Sequence, residues 1–206
     1  MVLTLVGHPL STCTRRVALV AKEVGIPYEI VPVDFAKGEH KSPEFLAKQP
    51  FGQVPYIDDD GFTLFESRAI GRYLAAKTKS PLLPTELHAN AKFETAASIE
   101  YSNFDHYAGG IAVEKVFKKM HGLEGDSARA EEHWQTLQNK LKAYEQILGT
   151  QKYLAGDEVT LADLFHLPYG YTIIQAGYKP FETPNLKRWW NDISNRPSWQ
   201  AVKDSA

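Results

Sequence analysis

The stretch Gln49-Pro50-Phe51-Gly52-Gln53-Val54-Pro55, followed eleven residues later by Glu66-Ser67-Arg68, restricts how this chain can fold more than any other part of it. Pro55 has no N–H to give to a sheet ladder and confines Val54 to extended backbone, so the segment reads as an edge strand entered through a turn. The N–H and C=O of Val54 are then free to pair with an extended ligand by strand addition, most readily with a cis Val54-Pro55 bond. Two short apolar runs, Tyr56-Ile57 and Phe62-Thr63-Leu64-Phe65, flank Asp58-Asp59-Asp60-Gly61, and Asp-Gly at that place is a hairpin signal. Glu66-Ser67 falls where a strand gives way to a helix, because Ile70, Tyr73 and Leu74 recur at helical spacing. A serine hydroxyl and the open N–H groups of a helix start receive a carboxylate, while Glu66 can receive an ammonium. A zwitterionic amino-acid head group fits both.

Upstream, Leu3-Thr4-Leu5-Val6 reads as a strand, Val17, Val20 and Val24 as a helix stripe, and Tyr28-Glu29-Ile30-Val31-Pro32-Val33 as a second strand. This βαβ beginning is completed by the hairpin and helix as a ββα ending. Pro81, Pro84 and the polar stretch to Asn90 form a linker, and beyond Ala91 only helical periodicity remains. Trp134, Leu137, Leu141, Tyr144 and Leu148 make the stripe of a core-facing helix. Thr160-Leu161-Ala162-Asp163 is a capping box in acidic form, and losing such a cap costs about 1 kcal/mol. The expected organisation is α/β plus all-α: residues 1–80, a linker over 81–90, and an all-helical domain over 91–206.

Composition excludes several classes of function. With 43% apolar and 23% charged residues the chain is ordinary globular protein, and a net charge of −2 carries no footprint for nucleic acid or anionic membrane. The seven histidines show no metal spacing, and no phosphate-binding or dinucleotide glycine motif occurs, so neither a metal nor a cofactor is expected. The single cysteine, Cys13, permits no internal disulfide; with no signal peptide and no long apolar run, the expected compartment is the cytoplasm.

Four separated segments agree in order and spacing with one family. Gly7-His8-Pro9-Leu10-Ser11-Thr12-Cys13-Thr14-Arg15-Arg16-Val17, Gly38-Glu39-His40-Lys41, Gly52-Gln53-Val54-Pro55 and Glu66-Ser67-Arg68 resemble the glutathione-binding half of a glutathione transferase. The first two are similar to the phi class, and the likeness runs over essentially the whole chain. It implies a thioredoxin-like N-terminal domain, with strand 54–57 antiparallel to its neighbours, followed by an all-helical electrophile-binding domain. It also implies a homodimer that conjugates glutathione, as co-substrate, to small hydrophobic electrophiles and could reduce organic hydroperoxides.

Site residues follow from the same resemblance. Ser11, at the start of the first helix, would be the catalytic residue that stabilises the glutathione thiolate, with Thr12 beside it also binding glutathione; His40, Lys41 and Gln53 would receive the glycine end of glutathione, Val54 its backbone, and Glu66 and Ser67 its γ-glutamyl end. Ser11 can also be a helix N-cap, and the two roles can coexist. A free thiol titrates near 8.5, so only about 3% is thiolate at pH 7, and a shift of ~2 units requires about 2.7 kcal/mol of preference for the anion. One charge-assisted hydrogen bond plus the field of a helix end is of that size. The nucleophile is the ligand's own cysteine, with no Ser-His-Asp relay.

Phe35, Tyr107, Ile111 and Phe117 are candidates for the electrophile pocket, against the alternative that aromatic residues at helical spacing form core. Phe51 is either an aromatic key to a partner subunit or simple loop packing. Cys13 could form a mixed disulfide, but in thiol-transferring relatives the cysteine stands at the position of Ser11. A rival reading is a non-catalytic carrier of hydrophobic molecules.

Overall fold

A computed structural model describes residues 2–206, and the chain forms two compact units. The first runs to Leu83 and also takes in Pro197–Ala206; the second is Pro84–Arg196.

The first unit opens with β1 (Leu3–Gly7), α1 (Thr12–Glu23) and β2 (Tyr28–Pro32), then a tight turn of helix at Glu39–Lys41 and α2 (Pro43–Leu46). There follow β3 (Tyr56–Asp59), β4 (Phe62–Phe65) and α3 (Ser67–Lys77). The sheet order is β2-β1-β3-β4, with β1 and β2 parallel and the other pairs antiparallel. Leu5 lies opposite Ile30 on one side and Ile57 on the other, so a column of branched side chains crosses the sheet. Leu5 and Ile57 are fully buried, as are Val17 and Val20 of α1 and Ile70 and Leu74 of α3. α1 and α3 pack on each other and on β1 and β3. Val6 points to the opposite face by the period-two rule and clusters with Val33 and Phe45, with Phe35, Val54 and Tyr56 against them. This is the thioredoxin-like order.

One detail differs from the sequence-based expectation. The segment before Pro55 is not an edge strand: pairing starts at Tyr56, and β3 lies inside the sheet between β1 and β4. The ladder begins after Pro55 because that residue has no N–H to contribute, which leaves Gln53-Val54 as an entry loop. The hairpin turn is formed as expected, with Asp60 at φ 62° and Gly61 at φ 88°, a left-handed pair that matches the twist of the flanking strands.

The second unit is helical. α4 (Leu87–Ile99) starts inside the stretch read as linker, because the Glu86 carboxylate accepts from the N–H groups of His88 and Ala89. The same rod continues as a π-helical turn at Glu100–Asp105, α5 (His106–Ala112), a second π-helical turn at Val113–Phe117, and α6 (Lys118–Met120). α7 (Ser127–Thr150) buries Leu137, Leu141, Tyr144 and Leu148, the expected stripe, while Trp134 is half-buried. α8 (Leu161–Phe165), α9 (Leu167–Gln175) and α10 (Pro184–Ser194) complete the unit. The capping box is present: Asp163 Oδ2 accepts from the Thr160 N–H at 2.9 Å and the Thr160 hydroxyl at 3.0 Å. Its other oxygen accepts from the Leu154 N–H and from Trp189 Nε1, each at 3.0 Å. Asp163 therefore joins the loop at Leu154, the start of α8 and α10, all without exposure to water.

The last helix, α11 (Pro197–Gln200), belongs to the first unit and packs on α1, with Trp199 and Val202 buried.

Candidate active site

Ser11 ends the loop that follows β1 and is the N-cap of α1, in extended backbone at φ −66°, ψ 131°. Its Oγ accepts from the Thr14 N–H at a long 3.4 Å. Capping uses an oxygen lone pair, so the hydroxyl proton stays available to an acceptor outside the helix. The first-turn N–H groups of this 12-residue helix add a positive field at the same place. Two contacts shape the loop: Ser11 N–H donates to the His8 carbonyl at 2.9 Å, and Leu10 N–H donates to His8 Nδ1 at 3.2 Å. That second bond leaves the His8 proton on Nε2.

A second helix start lies at Ser67, the first residue of α3, with Glu66 at φ 70°, ψ 105° before it. For a residue with a Cβ such backbone costs roughly 1 to 3 kcal/mol and marks places where position matters more than comfort. The buried Ser67 hydroxyl accepts from Arg16 Nη1 at 2.9 Å, so its own proton too is free to be donated. Arg16, fully buried one turn beyond Ser11, also approaches Cys13 Sγ at 3.6 Å. It ties the two helix starts together and sets a positive charge beneath them.

The loop before β3 forms the third side. Val54-Pro55 is a cis peptide bond. Among the described residues none hydrogen-bonds to the Val54 backbone, which leaves its N–H and C=O for a ligand. The loop approaches β1 closely: a Cβ at Gly7 would lie 3.3 Å from Pro55 Cβ and 2.6 Å from Thr14 Oγ1. Lys41 Nζ donates to the carbonyls of Phe51 at 3.1 Å and Gly52 at 3.0 Å. The ammonium is thus no spare charge; it clamps the loop and has one N–H left for a carboxylate. Gly52, at φ 60°, makes the clamp possible, since a Cβ there would sit 2.6 Å from Lys41 Nζ and 2.7 Å from the His40 carbonyl.

His40 is pushed below its ordinary value, first by burial and second by the Lys41 charge, so its ring is neutral at neutral pH. Its Nδ1 is buried with no partner among the described residues. Phe35 lies between His8, stacked at 5.2 Å, and His40, edge-on at 4.8 Å. A continuous path of contacts therefore runs from the Ser11 loop through Phe35 and His40 to Lys41, Gly52 and back through Pro55 to Gly7. Gln53 is exposed, and its N–H donates to the buried Gln49 side chain at 3.3 Å. Thr12, the first residue of α1, is buried.

The remaining candidates are placed differently. Phe51 is 65% exposed, edge-on to Phe65 at 6.2 Å. In the second unit Tyr107 is half-buried beside His106 and His133, Phe117 half-buried near Tyr169 at 6.5 Å, and Ile111 fully buried. Tyr107 and Ile111 lie on the segment between the two π-helical turns, and Phe117 ends the second, an irregularity frequent at functional sites. No group of three or more potential metal ligands occurs among the described residues, and no helix of the described chain is long and apolar enough to cross a membrane.

Sequence reasoning did not find the roles of Arg16, Gly52 and His8. Arg16 carried a usable signal, because it stands four residues before Val20 on a stripe that is otherwise apolar. The close approaches at Gly52 and His8 depend on loop geometry and carry no local pattern.

A thioredoxin-like unit followed by a helical one is also what the comparisons with known proteins find. The model for the glutathione S-transferase N-terminal domain matches residues 1–76, and that for the C-terminal domain matches 94–197. Glutathione S-transferase PM239X14 of Arabidopsis thaliana is 49% identical over 193 residues, covering 90% of this chain and 88% of that protein. The crystal structure of glutathione transferase F7 from Populus trichocarpa superposes with a TM-score of 0.92 at 40% identity, covering 98% of this chain and 97% of that one. Glutathione S-transferase I from maize, solved with an atrazine glutathione conjugate, gives 0.91 at 36% identity over 98% of this chain and 97% of that one. With both halves matched and nearly the full length shared, the chain belongs to the glutathione S-transferase family, in its phi class.

Proposed function

We propose that this protein joins the sulfur of glutathione to small apolar electrophiles, with the Ser11 hydroxyl as the donor that holds the thiolate. The observation that carries this reading is the Ser11 geometry. Its oxygen faces the Thr14 N–H while its proton remains uncommitted at the positive end of α1. The cysteinyl thiol gives its proton to water, and the resulting anion receives the Ser11 O–H. With an aryl halide as electrophile, a C–S bond forms, the C–halogen bond breaks and halide leaves. Ser11 keeps its proton throughout and is not a nucleophile.

The other contacts orient the tripeptide. The open Val54 backbone groups suit its central cysteine as a short antiparallel pair. The Ser67 hydroxyl and N–H suit the γ-glutamyl carboxylate, with Glu66 for its ammonium. The third Lys41 N–H, His40 and Gln53 suit the glycine carboxylate. Glutathione is consumed as a co-substrate, and no cofactor or metal takes part. Phe35, Tyr107 and Phe117 offer apolar surface for the electrophile; the exposed Phe51 suits a key to a second copy of the chain, making a homodimer that works in the cytoplasm.

Two measurements test this. Calorimetry on chelator-treated protein should detect binding of glutathione, and steady-state assays should show turnover of an aryl halide. Absence of binding at millimolar glutathione would contradict the assignment, and binding without turnover would leave a carrier.

A further inference from the structure

The loop that carries Ser11 is held from a place remote in sequence. Pro9 and Leu10 lie between β1 and α1, and among the described residues two bonds to His8 fix the shape within the loop. The Pro9 carbonyl accepts from the Ala206 N–H at 3.1 Å. One turn after Ser11, the largely buried Arg15 donates through Nη1 to the carbonyl of Lys203. Farther along α1, the hydroxyl of Ser198 donates to the Glu23 carboxylate. Trp199 and Val202, both about fully buried, anchor the segment between these points. Residues 197–206 thus run antiparallel along α1 and touch it at its end, near its start, and on the loop two residues before Ser11.

We infer that residues 203–206 form a positioning strap for Ser11, fixing the loop through Ala206 on Pro9 and the first turn of α1 through Lys203 on Arg15. Both strap contacts fall on backbone carbonyls, so they set where the loop lies whatever side chains the strap carries. Arg15 and Pro9 bracket Ser11 on its two sides, and a serine hydroxyl serves a bound sulfur only when the oxygen is placed to within a fraction of an ångström. The buried Trp199 and Val202 and the bond from Ser198 to Glu23 remain to hold α11 when the strap itself is removed. The strap touches no substrate and acts only through Ser11, so the inference rests on the reading of Ser11 given above.

The test compares the full chain with a chain ending at Val202, and with Ala206→Pro, which deletes a single N–H donor and leaves the rest of the strap. For each, three quantities are measured: turnover with an aryl halide, the Michaelis constant for glutathione, and the pH at which enzyme-bound glutathione ionises, followed by thiolate absorbance. Truncation should lower kcat about threefold to tenfold and move the ionisation upward, with the Michaelis constant and thermal midpoint nearly unchanged. Ala206→Pro should move the same two quantities in the same direction by less. Unchanged kcat and ionisation in the truncated chain would overturn the inference. So would a loss of kcat accompanied by an equal loss of glutathione affinity and a lower thermal midpoint, which would make the strap merely structural. Ser11→Ala serves as the reference: if it leaves the ionisation where it was, the reading of Ser11 itself fails, independently of the strap.

Discussion

Replacing Asp163 with alanine should destabilise the protein far more than replacing its capping partner Thr160. The sequence pattern alone assigns about 1 kcal/mol to either change, the usual worth of a helix cap. The structure separates them. Asp163 is fully buried and accepts from the Leu154 N–H, the Thr160 N–H, the Thr160 hydroxyl and Trp189 Nε1. Thr160→Ala removes the hydroxyl that donates to the Asp163 carboxylate and faces the Asp163 N–H in the capping box, leaving the carboxylate three partners. Asp163→Ala strands three N–H donors, all on buried residues: Leu154, Thr160 and Trp189. A buried donor without a partner costs roughly 1 to 3 kcal/mol, so the sum is roughly 3 to 9 kcal/mol. Total stability of a protein is about 5 to 15 kcal/mol, so the variant should be near or beyond its limit. Asp163→Asn keeps one carbonyl oxygen but turns an amide N–H₂ toward donors, and should fall between the two. Denaturant unfolding at one fixed protomer concentration reads all three, with a constant m-value as the check that only stability changed. An Asp163→Ala loss no larger than that of Thr160→Ala would refute the reasoning, because the donors would then have found other partners.

Gly52→Ala should raise the Michaelis constant for glutathione roughly tenfold, since a Cβ at φ 60° is strained and collides with the His40 carbonyl and the Lys41 clamp. Turnover at saturation should change little, because that contact is far from sulfur; an unaltered Michaelis constant would count against the clamp. His133 is pushed below its ordinary value, first by burial and then by electrostatic interaction with its neighbours His106 and Arg129. The unfolded chain takes up that proton near pH 6.5 and the folded chain only at lower pH, so this residue's contribution to stability is present above about 6.5 and lost as pH falls through the folded value. The thermal midpoint should therefore drop on going below that pH, and by less in His133→Gln; equal slopes would contradict it. Ser11→Cys should lose conjugation and gain thiol transfer to glutathionylated disulfides, because a thiol at a helix start has its ionisation favoured and can form a mixed disulfide. Thiol transfer already present in the parent and abolished by Cys13→Ser would instead assign the reactive position to Cys13.

Much of the first unit was legible because each signal was local. The Asp60-Gly61 pair specifies a left-handed hairpin turn by chemistry alone, and both residues adopt it. The stripe on α7 and the box at Thr160 likewise reflect rules that act within a few residues. Tyr56-Ile57 looked like an edge because Pro55 precedes it, but an antiparallel partner on each side is a tertiary fact that no window of sequence contains. Lys41 was legible as a residue for a carboxylate but not as a clamp, for the same reason: its acceptors, the carbonyls of Phe51 and Gly52, are backbone groups that become available only when the loop folds. The return of Trp199 and Val202 to the first unit also left no mark, since a buried tryptophan looks the same in either unit. Ser11 stands between these cases. Its place at a helix start was readable, and the structure makes it the N-cap through a lone pair that leaves the proton for the role proposed above.

The most direct measurement on Ser11 is the ionisation of glutathione bound to the parent and to Ser11→Ala, titrated by thiolate absorbance at saturating ligand. In the parent, the bound thiol should ionise about 2 units below its free value near 8.5; in Ser11→Ala it should return most of the way while the dissociation constant changes by less than about tenfold. Identical titrations in the two proteins would contradict the role assigned to Ser11 and place the source of thiol activation elsewhere in the site.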